Sequence, residues 1–235
     1  MNSSQFKKIA ILVTILAVPG FLYYLLQEKG KNRYKPLAIY GPKQVASTSH
    51  TVRGKSIPDT IYHTVADFDL LNQDSAQVRL SSYKGKIMLV GLFHSSNRGF
   101  AVDFANKAME GFSGIYEKNP LLHFMSISVN PNEDSPSVLR KYANSFSAKS
   151  KKWNLVTGDS TQVYDLINKG LFLDAVKTVK EGEDKFIYSN MFVLIDSKHR
   201  IRGYYDATNN EALSKLDDEI KVLIAEELRN VKDGR

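Results

Sequence analysis

From residue 87 onward, the hydrophobic residues fall into short continuous runs separated by polar segments. Ile87–Phe93 is apolar on both faces, which is typical of a strand buried inside a sheet. Leu122–Val129 has the same character. Three shorter strands are predicted at Trp153–Thr157, Met191–Ile195 and Ile201–Tyr205.

Four other stretches repeat apolar residues at helical spacing. The first follows the polar loop His94–Gly99. The second starts at Ser135-Pro136, a capping serine followed by a proline at the first helical position, and the third runs from a capping Ser160 to about Gly170. The last closes the chain. The predicted inner faces of the first, second and last helices are Val102, Ala105, Met109, Phe112 and Tyr116; Val138, Leu139, Tyr142 and Phe146; and Leu213, Leu216, Ile220, Leu223 and Leu228.

Two further segments complete the prediction for the globular part. Val65–Leu70 and Val78–Leu80 flank the turn Asn72–Ser75, so they predict a hairpin. Residues 171–187 show no clear period and are interpreted as an irregular insertion. The element order predicts an α/β fold with a central mixed β-sheet and helices on both faces, an arrangement that resembles thioredoxin.

The N-terminus predicts a membrane anchor. Residues 9–26 carry no charged side chain and would form a helix of about 27 Å, close to the roughly 30 Å hydrocarbon core. The predicted organisation is a flank at 1–8, a transmembrane helix at 9–26, a tether at 27–62 and a domain at 63–232. A cleaved signal peptide is the alternative, although no A-x-A site follows the apolar run. Basic residues lie on both sides of the run, so charge does not set the orientation.

The composition excludes several kinds of chemistry. The 235 residues include no cysteine, which rules out disulfides, thiolate metal sites and cysteine nucleophiles. The net charge is +7, but 32 basic residues are interspersed with 25 acidic ones and no nucleic-acid-binding signature occurs, so nucleic acid is not an expected partner. No Gly-x-Ser-x-Gly motif surrounds Ser95-Ser96, and the acidic pair Glu133-Asp134 is interpreted as favourable charge at a helix N-terminus. We therefore expect no enzyme activity, no cofactor and no small-molecule substrate.

Six segments in order resemble the SCO/SenC family, membrane-tethered thioredoxin-like proteins that deliver copper to cytochrome oxidase. The resemblance extends from about Ile39 to Glu227 and looks most like members from the Bacteroidetes. Its segments are Asn72-Gln73-Asp74, Tyr83-Lys84-Gly85-Lys86, Ser128 to Pro136, Lys152 to Asp159, Phe192 to Asp196 and Arg200 to Asp206.

The resemblance implies where the copper ligands of the family would lie. The family binds copper through a Cys-x-x-x-Cys loop after the central strand and a later histidine. Those positions correspond to Asn97, Ala101 and Tyr188 here, and a two-residue shift would move the first two to Ser95 and Gly99. All three ligands are replaced, so we expect no metal site of the family type. The resemblance also implies a single-pass inner-membrane protein with its domain on the periplasmic side.

Two classes of function remain open. One is a non-catalytic scaffold or accessory factor in respiratory oxidase assembly, which contacts another membrane or periplasmic protein. Its candidate contact surface is His94, Asn97, Arg98, Phe100 and Tyr188. The other is a metal-binding or redox protein that uses unfamiliar ligands around His94. An accessory component of an unrelated respiratory or transport complex is a weaker possibility.

Overall fold

The structure is a computed structural model that describes residues 3–29, 36–52, 54–97, 99–149, 151–180 and 183–232. The chain divides into two compact units, Met1–Lys35 and Pro36–Arg235. In the first unit, helix α1 (Ser3–Lys29) includes Pro19, and its large apolar side chains from Ile11 to Tyr24 are exposed. Among the described residues, no helix combines the length and the hydropathy that crossing a membrane requires.

The described part of the second unit contains eleven strands and four α-helices. In chain order they are β1 (Lys43–Val52), β2 (Lys55–Tyr62), β3 (Asp69–Asn72), β4 (Gln77–Arg79), β5 (Ile87–Phe93), α2 (Phe100–Ile115), β6 (Leu122–Ser128), α3 (Pro136–Asn144), β7 (Trp153–Thr157), α4 (Ser160–Asp165), β8 (Ala175–Lys180), β9 (Glu183–Tyr188), β10 (Met191–Ile195), β11 (Ile201–Asp206) and α5 (Asn210–Lys232). A 3-10 turn at Leu80–Tyr83 and a π-helix at Leu166–Gly170 complete the set.

A seven-stranded mixed sheet forms the centre of this unit, in the order β11-β10-β5-β6-β7-β3-β4. Strands β5, β6 and β7 are parallel, whereas the outer strands pair antiparallel. Strand β5 lies between β6 and β10: Leu89 is paired with Phe124 on one side and Leu194 on the other. The α/β fold predicted from the pattern is confirmed.

Each face of the sheet is buried in its own hydrophobic core. One core joins the sheet to α2, α3 and α5, and the other joins it to α4, the π-helix and the β3–β4 hairpin. The predicted stripe of α5 is confirmed except at its end. Leu216, Ile220 and Leu223 are fully buried, but Leu228 is 52% exposed. The next inward position after Leu223 is four residues on, and it holds Glu227, which accepts a hydrogen bond from the Ser197 hydroxyl.

The predicted tether at 27–62 is shorter in the structure, because residues from Pro36 onward belong to the domain's compact unit. Arg202, which is 2% exposed, donates hydrogen bonds to the backbone oxygens of Leu37 at 2.8 Å and Ala38 at 3.2 Å. The Tyr40 amide bonds to the Ile201 oxygen at 2.9 Å. Beyond this attachment, β1 and β2 form a separate two-stranded antiparallel ribbon.

The segment 171–187, predicted as an irregular insertion, contains most of the ribbon β8–β9, which starts at Ala175. Its inner face packs Phe186 and Tyr188 against the core beneath. Because the ribbon is mostly exposed, both of its faces carry lysines as well as apolar residues, so the sequence shows no clean period of two, which explains the wrong prediction. The cap of α4 also differs, since the Asp159 carboxylate, one residue before Ser160, accepts from the Gln162 amide.

Candidate functional site

The candidate site lies where the parallel strands β5 and β6 end. Their last residues, Phe93 and Ser128, are paired in register, so the loops that follow both strands leave the sheet at the same edge. The first loop connects to α2, and the second leads through Asn130 to α3. The end of β9 lies against the first loop, since Tyr188 contacts Asn97 there.

Asn97 and Tyr188 are brought together although they are 91 residues apart. The Asn97 amide nitrogen lies 3.4 Å from the Tyr188 hydroxyl. Burial raises the pKa of the Tyr188 phenol and the Asn97 hydrogen bond opposes that shift, so the phenol is protonated at neutral pH. The side-chain oxygen of Asn97 accepts from the Gly99 amide at 3.0 Å, just before α2 begins. Ala101, the second matched position, is half-buried in the first turn of α2.

His94 is held by a hydrogen bond and a ring contact. The Asn130 side-chain nitrogen lies 3.1 Å from His94 Nε2 and donates to a Glu133 carboxylate oxygen at 2.9 Å. His94 and Glu133 therefore share one side-chain nitrogen of Asn130. The His94 ring packs on Phe186 with the centroids 4.8 Å apart.

A buried carboxylate supports the root of the first loop. Asp134 is fully buried and accepts hydrogen bonds from the hydroxyls of Ser95 and Ser128. The Ser95 amide lies 3.4 Å from the same carboxylate. Ser95, the alternative matched position, is thus turned toward Asp134, whereas Asn97 meets Tyr188. The sequence interpretation of Asp134 as simple helix-terminal charge missed this role, although serines at the ends of two neighbouring strands were an available signal.

The remaining members of the predicted contact surface differ in placement. Phe100 is 79% exposed and contacts Phe104 one turn further along α2, at a centroid distance of 5.9 Å. Arg98 lies outside the described residues. The structure therefore clusters His94 and Asn97 with the β9 end and leaves Phe100 as an exposed ring beside them in the chain.

The histidines are spread over the domain. Nδ1 of His50 pairs with Asp59 at 2.6 Å, Nε2 of His63 lies 2.9 Å from the Gly170 oxygen, and His123 packs edge-on against a tyrosine ring. Within the described ranges, no three histidine, aspartate or glutamate side chains form a group that could hold a metal ion.

Comparison with known proteins decides the family. The sequence model of the SCO1/SenC family matches residues 58–223, which is more than half of the chain. The chain belongs to the SCO1/SenC family. The match includes the loop after β5 and the end of β9, and it begins after most of the β1–β2 ribbon. The SCO/SenC resemblance drawn from six sequence segments is confirmed.

Individual relatives agree with this assignment. An SCO1 protein homolog from Bacillus subtilis is 24% identical over 168 residues, covering 72% of this chain and 86% of that protein. The structure of BsSco, a member of the Sco family of cytochrome c oxidase assembly proteins, is 22% identical with a TM-score of 0.57, covering 68% and 93% of the two chains. Copper-bound ScoI from Arabidopsis thaliana is 18% identical with a TM-score of 0.55, covering 71% and 99%. At these identities the two structures establish the shared thioredoxin-like fold.

Proposed function

We propose that this SCO1/SenC protein is a non-catalytic accessory factor in cytochrome c oxidase assembly, which acts through protein contacts and has lost copper–thiolate and thiol-disulfide chemistry. The observation that carries the proposal is the Asn97–Tyr188 contact in a chain without cysteine. Two of the three positions matched to the family's ligands meet in space, which supports the assignment of these positions. Their side chains here are an amide and a phenol.

The donor chemistry at these positions does not suit Cu(I). Cu(I) prefers soft thiolate and thioether sulfur, with imidazole as a further ligand. Asn97 offers an amide, Ala101 a methyl group and Tyr188 a protonated phenol whose pKa is raised by burial. Exchange of disulfides requires thiols, which the sequence lacks altogether. These residues therefore do not fit a Cu(I) site.

The competing proposal is a metal-binding or redox protein built around His94. Against it, Nε2 of His94 already lies 3.1 Å from the Asn130 side-chain nitrogen, and the ring packs against Phe186. A metal would have to displace one of these partners. Glu133 is the nearest carboxylate in this network and would be the second ligand to examine.

A Cu(I) competition titration against a chromophoric chelator separates the two proposals. The wild-type protein should not outcompete the chelator, and His94→Ala should behave in the same way. The matched control is the triple variant Asn97→Cys, Ala101→Cys, Tyr188→His, which should gain stoichiometric binding if these positions are the family's ligand positions. Wild-type binding that disappears in His94→Ala would refute the accessory-factor proposal and make His94 a ligand.

The contact surface can be tested from Phe100, whose side chain is accessible. A photo-crosslinking amino acid at position 100 should capture an oxidase subunit or another assembly factor in native membranes. The control is position 115 at the far end of the same helix, where Ile115 is 71% exposed. Equal capture from both positions would mean that the surface around Asn97 and Tyr188 has no special role.

The cellular location stays a prediction. The uncharged stretch Ile9–Leu26 supports membrane attachment, and the family resemblance supports a domain on the periplasmic side of the inner membrane.

A further inference from the structure

Basic residues are concentrated at one edge of the central sheet. At this edge β5, β6 and β7 begin and β10 turns into β11. The segments that connect the elements there, here called the lysine edge, are 84–86, 116–121, 145–152 and 196–200. They have eight basic and two acidic residues, a net charge of +6, whereas residues 36–235 have 26 basic and 24 acidic residues, a net charge of +2. The lysine edge therefore carries more positive charge than the domain as a whole.

The four segments form one continuous surface, because hydrogen bonds join each of them to a neighbour. The bonds run from the Gly85 amide to the Ser197 oxygen at 3.4 Å, from the Lys86 ammonium to the Pro120 oxygen at 2.9 Å, and from the Lys152 ammonium to the Asn119 oxygen at 2.6 Å. The charges of the lysine edge are thus held in a row across the starts of adjacent strands.

The acidic groups at this edge already have partners. Asp196 is fully buried and pairs with Arg200 and Arg202, and Glu117 pairs with Lys149 at 3.1 Å. Neighbouring elements contribute three more acidic groups, each with a partner of its own: Glu226 with Arg202, Glu227 with Ser197 and Asp74 with Arg140. The surplus positive charge is therefore not neutralised within the lysine edge.

That surplus is carried by exposed lysines and acts on their neighbours. Burial, and then the charges of Lys152 and Lys86, lowers the pKa of the His123 imidazole beside the edge. Burial and Lys86 also lower the pKa of Lys152. Four lysines of the edge are exposed and take part in no ion pair within the described ranges: Lys84, Lys118, Lys151 and Lys198. A positive potential of this kind attracts an anionic surface.

The polypeptide enters the domain at the same edge. Arg202, the second residue of β11, holds the backbone oxygens of Leu37 and Ala38. Only residues 27–36 separate Leu37 from the uncharged stretch that is predicted to span a membrane, and ten extended residues reach at most about 35 Å. With that stretch in a bilayer, the headgroups are within reach of the lysine edge, and a short tether gives them a high effective concentration.

The composition of the edge favours lipid headgroups over an acidic protein as the partner. None of the large apolar side chains that are exposed in the described part of the domain lies in the four segments. Protein interfaces have an apolar centre and are depleted in lysine. A row of lysines without an apolar centre instead fits anionic headgroups, which attract each basic residue near the surface.

We propose that the lysine edge docks the domain on the anionic headgroups of a lipid membrane, with Lys84, Lys118, Lys151 and Lys198 as the contacting charges. The proposal goes beyond the proposed function and holds with or without a role in oxidase assembly.

Docking in this way directs the candidate site away from the lipid. The site lies where β5 ends, and a strand of seven residues separates the two edges by about 20 Å. The loops that leave β5, β6 and β7 at the far edge, 94–99, 129–135 and 158–159, have one basic and three acidic residues, so anionic headgroups do not attract them. A docked domain therefore presents the candidate site to the aqueous compartment.

The test measures which edge approaches the lipid. Because the sequence has no cysteine, one introduced cysteine carries a fluorophore at a defined position. Pro120→Cys places it on the lysine edge, and Thr161→Cys places it at the far edge, at the start of α4; both positions are exposed. The labelled full chain is reconstituted into nanodiscs of phosphatidylcholine, with or without about one third of phosphatidylglycerol, in which the headgroups carry a quencher.

We expect phosphatidylglycerol to increase the quenching at position 120 about threefold, about 0.5 M salt to abolish this increase, and position 161 to show no increase. Quenching at position 120 that does not respond to phosphatidylglycerol or to salt would overturn the proposal and leave an acidic protein as the partner to seek. An equal increase at position 161 would also overturn it, since the domain would then have no preferred edge.

Charge reversal tests the lysines themselves. In the Pro120→Cys chain, Lys118→Glu with Lys151→Glu should return the quenching to its value in phosphatidylcholine alone. The matched control, Lys107→Glu with Lys185→Glu, makes the same change in charge at exposed positions of α2 and β9 and should leave the quenching unchanged. An equal loss in both double variants would assign the attraction to net charge and overturn the proposal. Unchanged tryptophan emission and thermal unfolding exclude a folding defect, and the salt dependence of the unreversed chain tests the proposal independently of these variants.

Discussion

Replacing Arg202 with methionine tests how the N-terminal part of the domain is held. The Arg202 guanidinium binds four groups: the Leu37 oxygen at 2.8 Å, the Ala38 oxygen at 3.2 Å, Asp196 at 3.1 Å and Glu226 at 2.9 Å. Methionine has a similar length and no charge, so it fills most of the space and removes all five hydrogen bonds to these four groups.

The size of the effect follows from which partners are left without a substitute. Asp196 keeps Arg200, whose Nε and Nη2 atoms lie 2.8 and 2.7 Å from it, and the Glu226 side chain is 20% exposed, so water can replace Arg202 there. The carbonyls of Leu37 and Ala38 lose charge-assisted bonds, each worth about 1.5–3 kcal/mol. Because Ala38 is exposed and can be partly rehydrated, we expect Arg202→Met to lower the free energy of unfolding by about 3 kcal/mol.

Urea unfolding followed by tryptophan fluorescence measures this loss. Trp153 is the sole tryptophan, is 1% exposed and donates to the Ser126 hydroxyl, so its emission reports loss of the core. The same substitution in a chain that begins at residue 43 provides the second half of a double-mutant cycle. There Arg202→Met should cost about 2–3 kcal/mol less, since the two carbonyls are already gone. An equal cost in both chains, or a cost below about 0.5 kcal/mol in the longer one, would refute the argument.

Three further predictions concern the core, the pH dependence of stability and the location. Leu89→Asp would bury an unpaired carboxylate at a fully buried position of β5 and should unfold the domain. Its control, Ile115→Asp on the exposed end of α2, should change the free energy of unfolding by less than about 0.5 kcal/mol. Circular dichroism and urea titration measure both variants. Burial, and then Lys152 and Lys86, lowers the pKa of His123 from 6.5. As the pH falls through about 6.5, the unfolded chain therefore binds the proton before the folded protein does, so the free energy of unfolding decreases below that pH. His123→Gln should reduce this decrease, measured by urea unfolding between pH of about 7.5 and about 5.5. Carbonate washing of membranes should leave the full chain in the pellet because of Ile9–Leu26.

Each of these three has a clear contrary result. A soluble Leu89→Asp protein with a cooperative unfolding transition would place the core elsewhere. A pH profile that is identical in His123→Gln would assign the acid sensitivity to other groups. Release of a shortened protein by carbonate would favour the cleaved signal peptide over the anchor.

The parts of the fold that were predictable are those in which burial dictates the residue type along a whole element. Ile87–Phe93 is buried at every position, so its run of apolar residues has one interpretation and its bounds were predicted correctly. The β1–β2 ribbon has hardly any buried side chain, so its serines, threonines and histidine carry no amphipathic pattern and suggested a tether. The burial of Arg202 was not predictable either, because the sequence around a buried arginine does not differ from the sequence around a solvated one.

The candidate site was predictable in position but not in structure. Register counting along the family resemblance placed Asn97 and Tyr188 at matched positions, and the structure brings their side chains into contact. Asn130, Phe186 and Asp134 could not be assigned roles from the sequence. Each acts through a partner on another element, and pairings of this kind depend on the tertiary fold rather than on local pattern.

The buried Asp134 has a consequence for how this loop can evolve. Its carboxylate accepts hydrogen bonds from Ser95 and Ser128 at the strand ends. Positions 97 and 101, further along the loop, make no hydrogen bond to Asp134 in these contacts. Residues at the outer positions can therefore be exchanged without loosening the root of the loop. In such an arrangement, the residues that hold the loop in place differ from the residues that carry the chemistry. A protein can therefore lose a reaction during evolution and still keep the loop in position, where its surface can acquire another function.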